Sequence, residues 1–262
     1  MQRLIMIFSP ILLVVFLLIS GNSYALDVGA DAIVGVWLFD EDPNDSVKDS
    51  SGNGNDGQIM GDVEWVDDAR FGKALLFPGV DENYVEIPHN DSLDLTTFSF
   101  TAWIKIEQGA SYQSIIIKTA DGAVENYAGY IFDGTGVFWT RFTSGGAGQW
   151  GFQQWGAVPA TDGEWHHIAG TYDKEKVISY IDGTIEAEPE FDGDPDFNPG
   201  PLNIGDCPGY PYAVNGIIDD IGLFNVGLTQ DEVIDIMENG LASTLAVEPS
   251  GKLAIAWGGI KK

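Results

Sequence analysis

The chain of 262 residues has a single cysteine, Cys207, so no disulfide can form within it. Its stability must come from core burial or a bound ion, and Cys207 reads as a small buried apolar residue rather than a reactive thiol. Basic residues are also scarce. Twelve Lys and Arg stand against forty Asp and Glu, a formal net charge of −28. Such a surface repels phosphate backbones and anionic membranes, which excludes nucleic acid as a partner, while it suits divalent cations and solubility. Catalytic signatures are missing as well: there is no HxxEH, no GxSxG and no phosphate-binding loop. Only three histidines occur, and the adjacent pair His166 and His167 shows no catalytic-triad pattern. Both read as structural rings at a strand end.

Long apolar runs are absent with one exception. Ile5 to Ile19 is almost wholly apolar, follows Arg3, and precedes the small-x-small site Ser23-Tyr24-Ala25. This is the pattern of a secretory signal peptide over residues 1–25. The run is shorter than the roughly 20 residues that a membrane span requires, so no membrane insertion is expected of the mature chain. Loss of Arg3 makes the mature chain one unit more negative.

What is abundant is period-two alternation. FSFTAWIKI places Phe98, Phe100, Ala102, Ile104 and Ile106 on one face, with Ser99, Thr101, Trp103 and Lys105 on the other. VISYIDGTIEAE reads as a hairpin over 177–188, with Asp182-Gly183 as a type I′ turn. Further strands are expected at 33–39, 74–77, 84–88, 114–118, 129–132, 136–142, 149–155, 164–172, 201–205 and 216–225. Thr229 and Glu232 form a capping box for one helix, with Val233, Ile236 and Met237 on one side and Gly240 as its stop. Residues 26–243 therefore read as one all-β sandwich, and 244–262, which carries Lys252, Lys261 and Lys262, as an appended tail for sorting or docking.

Taken in order, VGVWLFDE, DSSGNGNDG, RFGKALLFPGVDENYVEIP, FSFTAWIK, GEWHHIAGTYD, SYIDGT, LNIGD and GIIDDIGLFNVGLTQDEV resemble the laminin G-like jelly roll of the concanavalin A-like lectin/glucanase superfamily. The resemblance covers about residues 33 to 240. It implies a two-sheet antiparallel jelly-roll sandwich with one short C-terminal helix. It also implies a structural calcium ion held away from the ligand face.

The loop DSSGNGNDG offers oxygen side chains at Asp49, Ser51 and Asn53, with Gly54 at the sixth place, as in the first half of an EF-hand. The twelfth place is Met60 rather than a bidentate Glu, so an EF-hand is excluded and other ligands must come from elsewhere. Asp81, Asp40 and Asp219 are the candidates, Asp219 being expected to point to the face opposite Asp220. The competing reading is an Asx-rich turn without an ion.

The superfamily includes glycoside hydrolases, whose jelly-roll members need a Glu-x-Asp-x-(x)-Glu strand. No such run occurs. Glu186, Glu188 and Glu190 alternate without a central Asp and are interrupted by Pro189. A non-catalytic module is therefore expected, with Trp139, Trp150, Tyr210 and Tyr212 as ligand-binding residues and a glycan or extracellular protein as partner, at a secreted or cell-surface location. The alternative is a protein-interaction or surface-assembly scaffold docked through 244–262, and a glycoside hydrolase is more distant. Sequencing the N-terminus of the exported protein should give Leu26. A mature chain that retains Met1 would contradict the secretory reading.

Overall fold

The computed structural model describes residues 28–41, 44–109, 112–132, 134–150 and 156–245. The expected signal peptide and residues 246–262 of the tail lie outside them. Fifteen strands follow in chain order: β1 (Ile33–Trp37), β2 (Ser46–Val47), β3 (Gly57–Met60), β4 (Glu64–Val66), β5 (Ala74–Pro78), β6 (Tyr84–Ile87), β7 (Phe98–Glu107), β8 (Gln113–Thr119), β9 (Glu125–Ile131), β10 (Phe138–Arg141), β11 (Asp162–Tyr172), β12 (Val177–Ile181), β13 (Thr184–Ala187), β14 (Leu202–Ile204) and β15 (Asn215–Phe224). They form two antiparallel sheets. One has eight strands in the order β13-β12-β11-β7-β15-β5-β4, with β1 also paired to β15; the other has seven in the order β10-β9-β8-β14-β6-β3-β2. This is the jelly-roll sandwich that the alternation and the resemblance imply.

The core lies between the sheets. Phe98, Phe100, Ala102, Ile104 and Ile106 of β7 enter it together, against Val85, Ile87, Ile116, Tyr127, Phe138 and Leu202 from the seven-stranded sheet. The other face of β7 is not open to solvent, as simple alternation suggests. Ser99 and Thr101 are fully buried, because helix α1 (Gln230–Asn239) packs on that side. Its Val233 and Ile236 join Val36, Ala169, Tyr180, Phe224 and Leu241 in a second apolar cluster. The capping box at Thr229 and Glu232 is formed, and Gly240 ends the helix at φ +73°. No helix among the described residues is long and apolar enough to cross a membrane.

The turn between β12 and β13 has φ +50° at Asp182 and +72° at Gly183, the double positive φ that a type I′ hairpin requires. Strands β2 to β4, of two to four residues, are too short to leave a periodic trace. The expected strand over 149–155 is not formed at 149–150, and its remainder lies outside the described residues.

The expected opposition of Asp219 and Asp220 needs correction. The β7–β15 register shifts between Asp219 and Gly222, and Asp220 sits at φ +47°. This bulge keeps Ile218 and Ile221 in the core and turns both aspartates away from it. Asp219 Oδ2 accepts hydrogen bonds from Arg70 N and Phe71 N at 2.8 and 2.9 Å. Asp220 Oδ2 accepts from Leu241 N at 3.2 Å. Asp219 is fully buried, and its Oδ1 has no partner.

Burial, reinforced by the Asp220 charge, outweighs the two amide bonds and pushes the Asp219 carboxyl up to about 7. The unfolded chain releases this proton near pH 4 while the folded chain keeps it. Stability therefore falls as pH rises from about 4 to about 7, by an amount on the order of a few kcal/mol. Asp219→Asn keeps an acceptor for the two amides and cannot ionise, so urea unfolding should show it gaining on the natural chain between pH 4.5 and pH 8. An equal difference at both pH values would contradict this assignment.

Candidate functional site

The outer face of the seven-stranded sheet follows from alternation along β9 and β10. Tyr127, Ile131 and Phe138 turn into the core, so Ala128, Tyr130, Trp139 and Arg141 turn outward. Trp139 pairs with Tyr130 and Arg141 with Ala128 across the two strands. Arg141 is fixed by Glu125 in a bidentate contact, with Nε donating to Oε2 at 2.7 Å and Nη2 donating to Oε1. The Tyr130 hydroxyl donates to the same Oε1 at 3.2 Å. Glu125 is fully buried and the Arg141 side chain is 12% exposed. Burial alone would weaken the guanidinium as a base. The Glu125 contact outweighs it and holds Arg141 above its ordinary range.

Arg141 is also the centre of an aromatic cluster. Its Cζ lies 4.5 Å from the Tyr130 ring, 5.0 Å from Trp139 and 4.8 Å from Trp150, within the range of cation–π attraction. The loop between β14 and β15 extends the cluster. It is tied to β8 by Gly205 N donating to Ile115 O at 3.1 Å and Ser114 N donating to Tyr212 O at 2.8 Å. Tyr210 stacks on Tyr212 at 5.4 Å, and Tyr212 meets Tyr130 at 6.0 Å and Tyr112 at 5.3 Å. Gly122 permits this approach, since a Cβ there would stand 2.2 Å from the Tyr210 ring. Cys207 is buried beneath the loop with Ile117 and Ala128, and burial pushes its thiol up to about 12, as suits a packing residue.

Two clefts flank the loop. One, of about 90 Å³, is lined by Tyr84, Glu86, Asp121, Asn203 and Pro208 among others. The second, of about 380 Å³, is lined by Asp81, Gln108, Tyr112, Gln113, Pro211 and Asn215 among others. A third, of about 420 Å³, lies elsewhere, against Glu175, Lys176, Glu190, Phe191 and Asp192. It has one aromatic ring, and its lysine is paired with Glu188 at 2.7 Å, so it offers less for a ligand to stack on.

Trp139, Trp150, Tyr210 and Tyr212 thus share one continuous cluster. Glu125 and Arg141 at its centre were not anticipated. The signal lies in GVFWTRF, where Arg141 follows Trp139 at the strand period. Of Asp49, Asn53, Asp81 and Asp219, expected to hold calcium, three are engaged separately and one is exposed. Asp49 Oδ1 accepts from Val36 N, Ser51 N and Ser51 Oγ at 3.1, 2.9 and 2.6 Å, and Oδ2 accepts from Asn55 N at 3.0 Å. Asn53 Nδ2 donates to Ile33 O at 2.7 Å, and Asp81 is exposed. Asp219 holds the 70–71 backbone as described. Among the described residues no three His, Cys, Asp or Glu side chains gather to hold a metal ion. An Asp49 carboxylate already accepting four hydrogen bonds does not fit a calcium shell of six to eight oxygens.

His166 does have acidic partners. Asp182 lies 2.8 Å from Nδ1, and Asp162, four residues earlier on β11, lies 3.1 Å from Nε2. Burial lowers its basicity, and the two carboxylates more than restore it. His167 is buried and pushed down to about 3. Glu186 Oε2 accepts from Ala157 N and Val158 N at 3.1 and 3.2 Å on the edge strand β13, and Glu188 is the partner of Lys176. These carboxylates bind the chain's own donors.

Several solved structures share the fold. The binding domain of Paraclostridial Mosquitocidal Protein 1 superposes with TM-score 0.63 at 16% identity, over 78% of this chain and 51% of that one. Domain 4 of AbnA, a GH43 extracellular arabinanase from Geobacillus stearothermophilus, solved with arabinotriose, gives 0.62 at 20% identity, over 78% of this chain and 98% of that one. A structure of botulinum neurotoxin type C, whose cell entry depends on interaction with two ganglioside molecules, gives 0.60 at 14% identity, over 80% and 51%. The chain therefore spans about half the length of the two toxin structures. At these identities the likeness establishes the fold. No curated protein sequence matches the chain. The laminin G-type family model matches residues 79–234, more than half of the chain, and on that match the chain belongs to the concanavalin A-like lectin/glucanases superfamily.

Proposed function

We propose that the chain is a non-catalytic carbohydrate-binding module, secreted or displayed at the cell surface, that binds its ligand on the outer face of the seven-stranded sheet. The observation that carries this reading is the continuous aromatic cluster in which buried Tyr130 and Trp139 and the Arg141 guanidinium support the half-buried rings of Trp150, Tyr212 and Tyr210, flanked by polar clefts. Sugar rings present apolar C–H faces that stack on such side chains. Their hydroxyls suit Asn203, Asn215, Glu86 and Asp121 around them. The arabinotriose bound to domain 4 of AbnA and the gangliosides of the botulinum neurotoxin study support a glycan as the ligand class. The expected signal peptide supports export. Calcium is retained as a proposal without assigned ligands, resting on the family resemblance and the acidic charge.

A glycan array on the purified chain should therefore give discrete hits. Tyr210→Ala and Trp150→Ala should each weaken a hit at least tenfold, equivalent to about 1.4 kcal/mol. Trp165→Ala, on β11 of the other sheet, should leave binding unchanged. An array without hits would contradict the reading, as would hits insensitive to both cluster substitutions.

A further inference from the structure

We infer that the site selects uncharged oligosaccharides and excludes glycans that carry carboxylate or sulfate groups. This deepens, and rests on, the carbohydrate-binding reading above. Both clefts are rimmed by acids: Glu86 and Asp121 line the smaller, and Asp81 the larger. Asn203 pairs across the strands with Glu86. It is 2% exposed, its Oδ1 has no hydrogen-bond partner, and it lines the smaller cleft. That leaves a buried amide for which a hydroxyl is a suitable partner. Asp206, fully buried on the β14–β15 loop, accepts from Glu82 N at 2.8 Å. It adds a further carboxyl beside Asp81 and Glu82.

Among the described residues, no Lys or Arg lines either cleft to offset these. Arg141 is the cation of the aromatic cluster, and both its Nε and Nη2 close on Glu125 while three rings surround the guanidinium. Lys118 of β8 turns the other way and is fully buried. It pairs with Asp94 at 3.2 Å and donates to Asn198 O at 2.7 Å. An incoming carboxylate would therefore meet like charge within about one Debye length, roughly 8 Å at physiological salt, with no counter-ion to pair with. A neutral sugar instead donates its hydroxyl protons to these same oxygens. The locked Glu125–Arg141 pair is what makes the site blind to anions, since unpaired it would present a bidentate anion receptor.

The test is calorimetry with matched pairs of oligosaccharides, each neutral member compared with its uronic-acid- or sialic-acid-terminated counterpart, at 50 mM and 500 mM NaCl. The neutral member should bind at least tenfold more tightly at low salt, and the gap should narrow at high salt. Glu125→Gln, which frees Arg141, should shift selectivity towards the acidic member. Should that variant fail to fold, the surface pair Glu86→Gln with Asp121→Asn should narrow the gap by itself. Equal or tighter binding of the acidic member overturns the inference and leaves the carbohydrate reading standing. So does a gap that neither salt nor the rim variants alter. Absence of binding by either member overturns both.

Discussion

The closure of Glu125 on Arg141 is the contact on which the outer face of the seven-stranded sheet depends. Burying a carboxylate and a guanidinium is costly unless each satisfies the other with good geometry. Here two parallel hydrogen bonds do so, and the Tyr130 hydroxyl adds a third donor to the same carboxylate. With its charge answered, the flat guanidinium becomes a hub on which Tyr130, Trp139 and Trp150 pack. The rings in turn set the seat of the β14–β15 loop through Tyr212. One ion pair thereby links two adjacent strands, a distant loop and the two clefts beside it.

The other sheet has been used differently. Its outer face is spent on internal packing, by helix α1 over Ala169, Tyr180 and Phe224 and by the Arg70–Phe71 backbone held on Asp219. Arg70 also covers Trp103, with its Cζ 4.6 Å from the ring. The division of labour is physical. A sheet whose outer face is roofed by its own chain can supply rigidity, and the sheet with a thinner, aromatic covering is left to meet a ligand.

Much of this was legible in the sequence because it rests on local rules. Alternation fixed the core face of β7, Asp182-Gly183 fixed the hairpin, and Thr229 with Glu232 fixed the start of the helix. Trp139 and Trp150 could be named as one aromatic group and Tyr210 and Tyr212 as a second, but that the two join through Tyr130 is seen only in the fold. What stayed hidden depends on partners distant in the chain. Glu125 and Arg141 are sixteen residues apart, and nothing in either strand's period says that they touch. The bulge at Asp220 breaks the alternation on which the placement of Asp219 and Asp220 relied. DSSGNGNDG reads equally as ion loop or turn from composition. How Asp49 is engaged, by Val36 and Asn55, depends on contacts that only the folded chain makes.

The most direct test of the binding face is an NMR titration of the tryptophan indole N–H signals with a neutral oligosaccharide that the chain binds. Trp37, whose Nε1 donates to Asn55 O at 2.9 Å within the sandwich, and Trp165, on the opposite sheet, serve as internal references. Binding on the aromatic face should shift Trp139 and Trp150 in a saturable, concentration-dependent way while Trp37 and Trp165 stay fixed. Saturable shifts at Trp165 and Trp103 with Trp139 and Trp150 unmoved would place the ligand on the other sheet and contradict the account.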